Sequence, residues 1–493
     1  MIYSVYTNTD IIHGGSFFMP LISLSFATFF VVFTLLYHLA PRFKSSLTMQ
    51  RVLLLVGSIA FYAFSDIRFV PFLLYIVVLS YLAGLYSKNR LSFTLFLLAD
   101  LLPLLLFKYT PQDWHANLIF PLGLSFITFQ SISYIVDTYT KKIPIETNLL
   151  TAALFVSFFP TISSGPIQRA EKLLPQLKAA HHFDYNNATA GIKLFAWGMF
   201  KKLCIADKIA VYVNYVYGSA ASAEQYGLAL LLATVLYSFQ IYCDFSGYSD
   251  MAIGISRYLG FDVGRNFDHP YLSKSVSEFW RRWHISLSSW LRDYVYIPLG
   301  GSRVALPRIY LNLIITFLVS GIWHGSGWNF IIWGLLHGLY QCAGRAMKPI
   351  AQRANIPAWL QVFVTFCLVT FTWIFFRAEN AQTAFAVIKQ IARIPLDAPA
   401  ILSLHNFLGA KEAIRSIFAL DDNAFGGFIG MAELFIVMLP FILGSLVTQK
   451  TDGLKKLLPF PLVGRWLLYY AFVILLLLFF PTSMTSNFIY NQF

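Results

Sequence analysis

The sequence predicts an all-α membrane protein that crosses the bilayer many times, on three observations. Charged residues make up 12% of the 493 positions and apolar ones 57%, with 48 Phe. A water-soluble domain carries about 25% charged residues. This chain cannot build the polar shell that a soluble core of its size needs, so most of its surface meets lipid. Residues 11–41, 309–344, 354–376 and 466–493 contain no Asp, Glu, Lys or Arg. A helix rises about 1.5 Å per residue, so about 20 apolar residues cross a bilayer core of about 30 Å. By that measure the chain holds roughly eleven to thirteen spanning helices. The apolar runs are also continuous rather than alternating, which selects helices over a β-barrel.

The first run exceeds the apolar core of a secretion signal and lacks a basic leader and a small-residue cleavage site, so it is read as a retained helix. Arg42, Lys44 and Arg51 follow it closely. Under the positive-inside bias they place that loop in the cytoplasm and the N-terminus outside. Residues 1–110 read as about four helices parted by short breaks at 65–68 and 88–90. From 111 to 300 the apolar segments shorten, interrupted by Phe159-Pro160-Thr161, Ser164-Gly165-Pro166, Asp244-Phe245-Ser246-Gly247 and His269-Pro270. Irregular backbone at membrane depth is tolerated only where protein buries it or it lines a wet cavity, so these breaks point to a chamber. From about 354 ordinary spanning helices resume, with one longer polar loop near 409–423. No linker or repeat divides the chain, which is read as one domain.

The formal net charge of +13 raises nucleic acid as a partner. The basic residues are scattered among short loops, however, with Lys141/Lys142, Lys201/Lys202, Arg281/Arg282 and Arg345/Lys348 each beside an apolar run. Topology and anionic lipid headgroups account for them better, and no nucleic-acid partner is expected. Cys204, Cys243, Cys342 and Cys367 show neither metal-ligand nor redox spacing and read as packing residues. With no zinc-helix, phosphate-loop or nucleophile-elbow motif present, no metal is expected.

Four segments carry the candidate chemistry. In 277–293, SEFWRRWHISLSSWLRD, a helix of 100° per residue aligns Ser277, Arg281, His284, Ser288 and Arg292 opposite Phe279, Trp280, Trp283, Leu287, Trp290 and Leu291. One reading is an interfacial helix with arginines on lipid phosphates. The other is a stripe facing a chamber and binding an anionic donor through forked guanidinium groups.

The second segment is 320–329, SGIWHGSGWN, inside an uncharged run of 36 residues. As one straight helix that run would reach about 54 Å. Gly321, Gly325 and Gly327 mark where it breaks, which sets His324 at a helix junction. A histidine there is a functional candidate by default and suits general-base chemistry near neutral pH. The competing reading is a core histidine bonded to a carbonyl freed by the break. His337, between Gly334 and Gly338, reads as part of a close helix contact.

Asp244 and Asp250 form the third segment. Following an apolar run, they are costly unless solvated or paired. They orient a histidine, cap a helix or pair with a buried arginine. The fourth, 160–169, is a turn-rich re-entrant or interfacial loop leading to a basic amphipathic segment.

In order, FFPTISSGPIQR, YCDFSGYSDMAIG, NFDHPYLSKSVSEFWRRWHISLSSWLRDYVYIPLGG and SGIWHGSGWNFIIWGLLHG resemble the membrane-bound O-acyltransferase (MBOAT) superfamily, and within it the bacterial alginate and peptidoglycan O-acetyltransferases. The resemblance spans roughly 110–380. It implies a ring of spanning helices around a thinned centre, where short or re-entrant helices enclose a through-membrane chamber. It implies a single domain over 1–493, with N-terminal helices (1–110), a catalytic core (111–380) and C-terminal helices (381–493). It places the catalytic histidine on His324 and a second motif position on His284.

By the same resemblance the donor is a cytoplasmic acyl thioester, acetyl-coenzyme A, with no permanently bound cofactor. The acceptor is an extracytoplasmic polysaccharide such as alginate or peptidoglycan, reached directly or through an esterase-like partner of the SGNH type. The location implied is the bacterial inner membrane. Arg281, Ser288 and Arg292 are expected to bind the donor. Ser326, Asn329 and Asp244 are expected to serve oxyanion or positioning roles. Two other readings stay open: D-alanyl transfer from a carrier-protein thioester, and a transporter of an acylated or lipid-linked intermediate.

Overall fold

The computed structural model describes residues 21–42, 46–110, 121–218, 227–394, 427–450 and 462–478. Helices are the regular structure throughout, and no strand occurs among the described residues. The longer polar loop expected at 409–423 lies outside them. The chain divides into two compact units, one of Met1–Phe195 with Asp250–Gly264, the other of Ala196–Ser249 with Arg265–Phe493.

The first unit holds α1 (Leu24–Leu39), α2 (Ser46–Ser65), α3 (Val70–Tyr86), α4 (Arg90–Tyr109), α5 (Leu124–Tyr139), the short α6 (Leu149–Ser157), α7 (Phe159–Ile162) and α8 (Ala170–Leu177), and most of α9 (Tyr185–Met199). Local chemistry starts these helices. Ser23 accepts the Phe26 N–H at 3.0 Å ahead of α1, and Asn89 with Ser92 forms a capping box ahead of α4.

On α4, Leu91, Leu95, Leu98, Leu102 and Leu105 are all exposed. Their alternating spacing of four and three makes a single stripe, which is the lipid face of a spanning helix. The opposite face buries Asp100 completely, where it accepts the Ser131 hydroxyl of α5 at 2.7 Å. Lipid gives helices no hydrophobic reason to associate, so close packing and such polar contacts hold them.

The 160–169 segment is buried almost throughout. The Phe159 N–H before it donates to Ser58 Oγ at 3.2 Å, and Gln168 donates to the Pro166 and Val263 carbonyls at 2.7 and 3.2 Å. Its irregular backbone is satisfied by protein. On α8, Leu173, Leu174 and Leu177 face inward and Glu171 and Lys172 outward, the amphipathic helix the sequence leads one to expect.

The second unit begins in α9 and continues through a π-turn (Phe200–Ala206) to α10 (Asp207–Gly218) and α11 (Gly227–Tyr258), of which it holds the residues up to Ser249. There follow the short α12 (Val276–Arg282) and α13 (Ile285–Leu291), a second π-turn (Arg292–Tyr296), α14 (Leu306–His324), α15 (Trp328–Arg353), α16 (Ala358–Arg377), α17 (Ala381–Ala392), α18 (Gly427–Lys450) and α19 (Leu462–Leu478). The unit boundaries fall inside α9 and α11.

Among the described residues, six helices are long and apolar enough to cross a membrane: Leu47–Ser65, Ile67–Tyr86, Arg90–Tyr109, Gly227–Tyr258, Leu306–His324 and Ala358–Arg377. Leu24–Leu39, Leu149–Ile162 and Gly430–Leu439 are shorter apolar helices. The protein is an all-α, multi-pass membrane protein.

One expected break is absent. Asp244-Phe245-Ser246-Gly247 reads as an interruption, yet α11 runs through it unbroken. The glycine serves close approach instead: a Cβ on Gly247 would lie 2.8 Å from the Gly198 carbonyl oxygen and 3.2 Å from the Lys202 nitrogen. The expected break at 321–327 is present. There α14 and α15 fold back as a hairpin, with a Cβ on Gly321 2.4 Å from the Phe330 carbonyl oxygen and one on Gly334 2.4 Å from that of Phe317.

Candidate active site

The site lies in the second unit and is built around the end of α14. His324 is its last helical residue, Gly325 leaves the helix in extended conformation, and α15 restarts at Trp328. The imidazole is 4% exposed. The rings of Trp323, Trp333 and Phe376 surround it, their centroids 4.6, 5.0 and 5.1 Å from its own. The glycines that break the run also let the two arms of the hairpin close, which brings Trp333 of α15 onto His324 of α14. An imidazole walled by aromatic rings is held in place and shielded from bulk water. It does not face lipid.

His284 comes to the same neighbourhood, with its ring 6.3 Å from that of Trp323. The helical stripe expected across 277–293 is not formed. The chain breaks at Trp283, and His284 takes a left-handed conformation (φ 42°, ψ 56°) between α12 and α13. Non-glycine residues adopt this conformation only where the surroundings enforce it. Here Asn266 does so. Its carbonyl accepts the Ile285 N–H at 2.9 Å, and its side-chain oxygen accepts the Ser286 N–H at 3.2 Å and the Ser286 hydroxyl at 2.9 Å. The break parts the stripe. His284 is buried at 1% exposure, with the Phe245 ring 4.6 Å away. Burial lowers its pKa from the ordinary imidazole value.

The predicted donor-binding residues separate accordingly. Arg281 is exposed. Arg292 is also exposed and bonds Asp293 at 2.8 Å. Ser288 is half-buried and spends its hydroxyl on the Trp283 carbonyl at 3.1 Å, inside the break.

Of the expected positioning residues, Ser326 is exposed on the turn between α14 and α15. Asn329 is buried, and its amide N–H groups donate to the Phe375 and Ala378 carbonyls at 3.2 and 3.0 Å. It ties the end of α16 to the start of α15, so its donors are spent on structure. Asp244 pairs with Lys202 at 2.6 Å, and Lys202 also meets Asp207 at 2.7 Å. Of the roles open to Asp244, the structure realises pairing with a buried cation, a lysine rather than an arginine.

Lys201 and Lys202 therefore do not mark a lipid headgroup contact. Both are buried on the π-turn, Lys202 in that ion triad and Lys201 donating to Ser246 Oγ at 2.8 Å. The signal was the carboxylate in an apolar run, which demanded a partner.

His337 has both ring nitrogens engaged. The Trp280 indole, a donor only, gives its N–H to Nδ1 at 3.2 Å, so Nε2 carries the proton and donates to Thr372 Oγ1 at 3.0 Å. This histidine ties α12, α15 and α16 together.

Two further residues at the site escaped the sequence reading. One is Asn266. The other is Trp333, whose indole Nε1 is buried with no hydrogen-bond partner among the described residues while its ring packs on His324. An apolar cavity of about 360 Å³ lies nearby, lined by Phe239, Tyr242, Tyr271, Phe363, Phe366 and Phe441 among others. Ring contacts run from its wall to the imidazole, from Tyr271 to Trp283, Trp373, Phe376 and His324 at 6.1, 5.2, 5.3 and 5.1 Å.

Comparison with known proteins matches the same region. The MBOAT, membrane-bound O-acyltransferase family, matches residues 57–383, which include His284 and His324. Peptidoglycan O-acetyltransferase of Helicobacter pylori is 35% identical over 434 residues, 78% of this chain and 81% of its own length. The protein named probable alginate O-acetylase AlgI of Azotobacter vinelandii is 39% identical over 382 residues, 72% and 74% of the two chains. Teichoic acid D-alanyltransferase of Bacillus subtilis is 32% identical over 306 residues, 57% of this chain and 76% of its own. The chain belongs to the membrane-bound O-acyltransferase family.

Proposed function

We propose that the protein is an O-acetyltransferase of the bacterial inner membrane. It takes an acetyl group from acetyl-coenzyme A on the cytoplasmic side and passes it to a hydroxyl of an extracytoplasmic polysaccharide, directly or through an esterase-like partner. The observation that carries this reading is His324, an imidazole set at a helix break inside an uncharged run and caged by aromatic rings. The relatives named for peptidoglycan and alginate O-acetylation support the choice of acyl group and of polymer class.

In this mechanism His324 takes the proton of the acceptor hydroxyl as its oxygen attacks the thioester carbonyl. The tetrahedral oxyanion collapses, the C–S bond breaks, and the imidazolium returns its proton to the coenzyme A sulfur. The Trp333 indole N–H is a buried donor the site offers to the oxyanion, with Ser326 as the exposed alternative. Arg281 and Arg292, both exposed, meet the donor's phosphates from the aqueous side. His284 positions the donor. A coenzyme A thioester cannot cross about 30 Å of hydrocarbon with its phosphates attached, so only the acyl arm enters the membrane.

The test is His324→Ala. Polymer O-acetylation is lost, by a factor of about 10² or more, while the protein stays folded in the membrane. Full acetylation by that variant would end the proposal. The D-alanyl relative gives a second reading on the same site. Purified protein that releases coenzyme A from labelled acetyl-coenzyme A in the presence of acceptor supports acetyl transfer. Turnover only with a carrier-protein thioester supports D-alanylation, and transport without thioester cleavage supports the transporter.

A further inference from the structure

We infer that Asn266 is a positioning residue that fixes the tautomer of His284, holding the proton on Nδ1 so that Nε2 meets the substrates as a hydrogen-bond acceptor and never as a donor. The inference rests on the proposed function for its claim that His284 acts in the site. Its geometry is independent of that claim.

An asparagine amide and a neutral imidazole are each ambiguous, because oxygen and nitrogen exchange places in the one and the proton moves in the other. Here the ambiguity is removed by a group that has no choice. The Ser286 backbone N–H can only donate, and it lies 3.2 Å from the Asn266 side-chain atom facing it. That atom must be the oxygen. The amide is thereby oriented, and its nitrogen donates to Ser249 Oγ at 3.0 Å on the other side.

The same oxygen lies 3.2 Å from His284 Nδ1. An amide oxygen only accepts, so Nδ1 supplies the hydrogen, and in the neutral ring Nε2 is left with its lone pair. The Ser286 hydroxyl, 2.9 Å from that oxygen, completes the set.

The backbone locks the arrangement from both sides. The Asn266 carbonyl takes the Ile285 N–H at 2.9 Å, the Arg282 carbonyl takes the Asp268 N–H at 2.9 Å, and the His284 carbonyl takes the Ser288 N–H at 2.9 Å. The left-handed conformation of His284 presents the ring edge to Asn266. Asn266 is 1% exposed, so water does not compete for these bonds. One buried amide thus both sets the break between α12 and α13 and assigns the two faces of the imidazole. An acceptor-only Nε2 cannot stabilise an oxyanion. It receives a substrate N–H or O–H, and the oxyanion is left to other donors.

The tautomer can be read without turnover, by nitrogen-15 NMR of the full chain in lipid nanodiscs with ¹⁵N-labelled histidine, His284 assigned by its loss in His284→Ala. The expected signature is protonated Nδ1 with a bare Nε2. Ser249→Ala removes the amide nitrogen's partner and leaves that signature, because Ser286 still demands the oxygen. Asn266→Ala abolishes it, shifting His284 to a mixture or to the Nε2–H form, with turnover reduced about 10- to 100-fold.

A wild-type spectrum with the proton on Nε2 overturns the inference and needs no variant to fold. So does an unchanged tautomer in Asn266→Ala. Full activity in His284→Ala overturns the positioning role even where the wild-type tautomer is as stated. Loss of the His324 reading, by contrast, appears as acetylation by His324→Ala and leaves the spectrum untouched.

Discussion

Trp333 shows how much a single side chain decides at this site. Its ring is one wall of the cage around His324, and its indole nitrogen is buried. Trp333→Phe keeps an aromatic wall and removes the N–H. If that N–H stabilises the developing oxyanion, turnover falls about 10²-fold with little change in donor KM. A fall in stability with unaltered kcat would make Trp333 a packing residue only. Residue identity announced His324, because a histidine in so long an uncharged run is conspicuous. It could not announce Asn266, which stands 18 residues before His284 in a polar loop. Its role exists only once the chain folds that loop against the α12–α13 break.

Among the elements, the α14–α15 hairpin and the break between α12 and α13 carry the site. A Cβ at Gly334 would sit 2.4 Å from a backbone carbonyl oxygen, which cannot rotate away as a side chain would. Gly334→Val therefore forces the two helices apart. It should cost about 1–3 kcal/mol or more, seen as a lowered Tm in detergent, and displace Trp333 from His324 with a matching loss of turnover. An unchanged Tm would show that the helices slide freely.

At the π-turn after α9, Lys202 is the cation shared by Asp207 and Asp244. Lys202→Met leaves the buried Asp244 and the half-buried Asp207 without it and should destabilise by about 3–5 kcal/mol. Adding Asp244→Leu should recover part of that loss, measured by thermal unfolding of both variants. The period of the hydrophobic pattern finds such elements readily. It misjudged α11 because a glycine signals either a break or a close approach, and the choice lies with the neighbouring helix. It misjudged 277–293 because the break at His284 is held by Asn266, which lies outside that segment.

At the scale of the whole molecule, the question is which ends face the cytoplasm. Within the first unit, Arg42 and Arg51 lie at one end of α1 and α2, Lys88 lies between α3 and α4 and Arg90 starts α4, while the break at 65–68 is at the far end of α2. The positive-inside bias assigns the basic ends to the cytoplasm. In a cysteine-free background, Ile67→Cys, whose side chain is 73% exposed, should react with a membrane-impermeant thiol reagent added outside, and Lys88→Cys should not. The reverse pattern would invert the orientation expected for the first unit.

The sequence by itself determined the solvent, the class of fold, the break at 321–327 and the histidine placed there. Each follows from composition or from spacing along one chain segment, and needs no knowledge of neighbours. Tertiary structure alone decided which polar groups meet. It drew Asp244 to Lys202, gave both nitrogens of His337 to Trp280 and Thr372, spent the amide of Asn329 on α16, and set Asn266 against His284. Partners far apart in the chain leave no periodic trace, and a buried polar group takes whatever donor or acceptor the packing delivers to it.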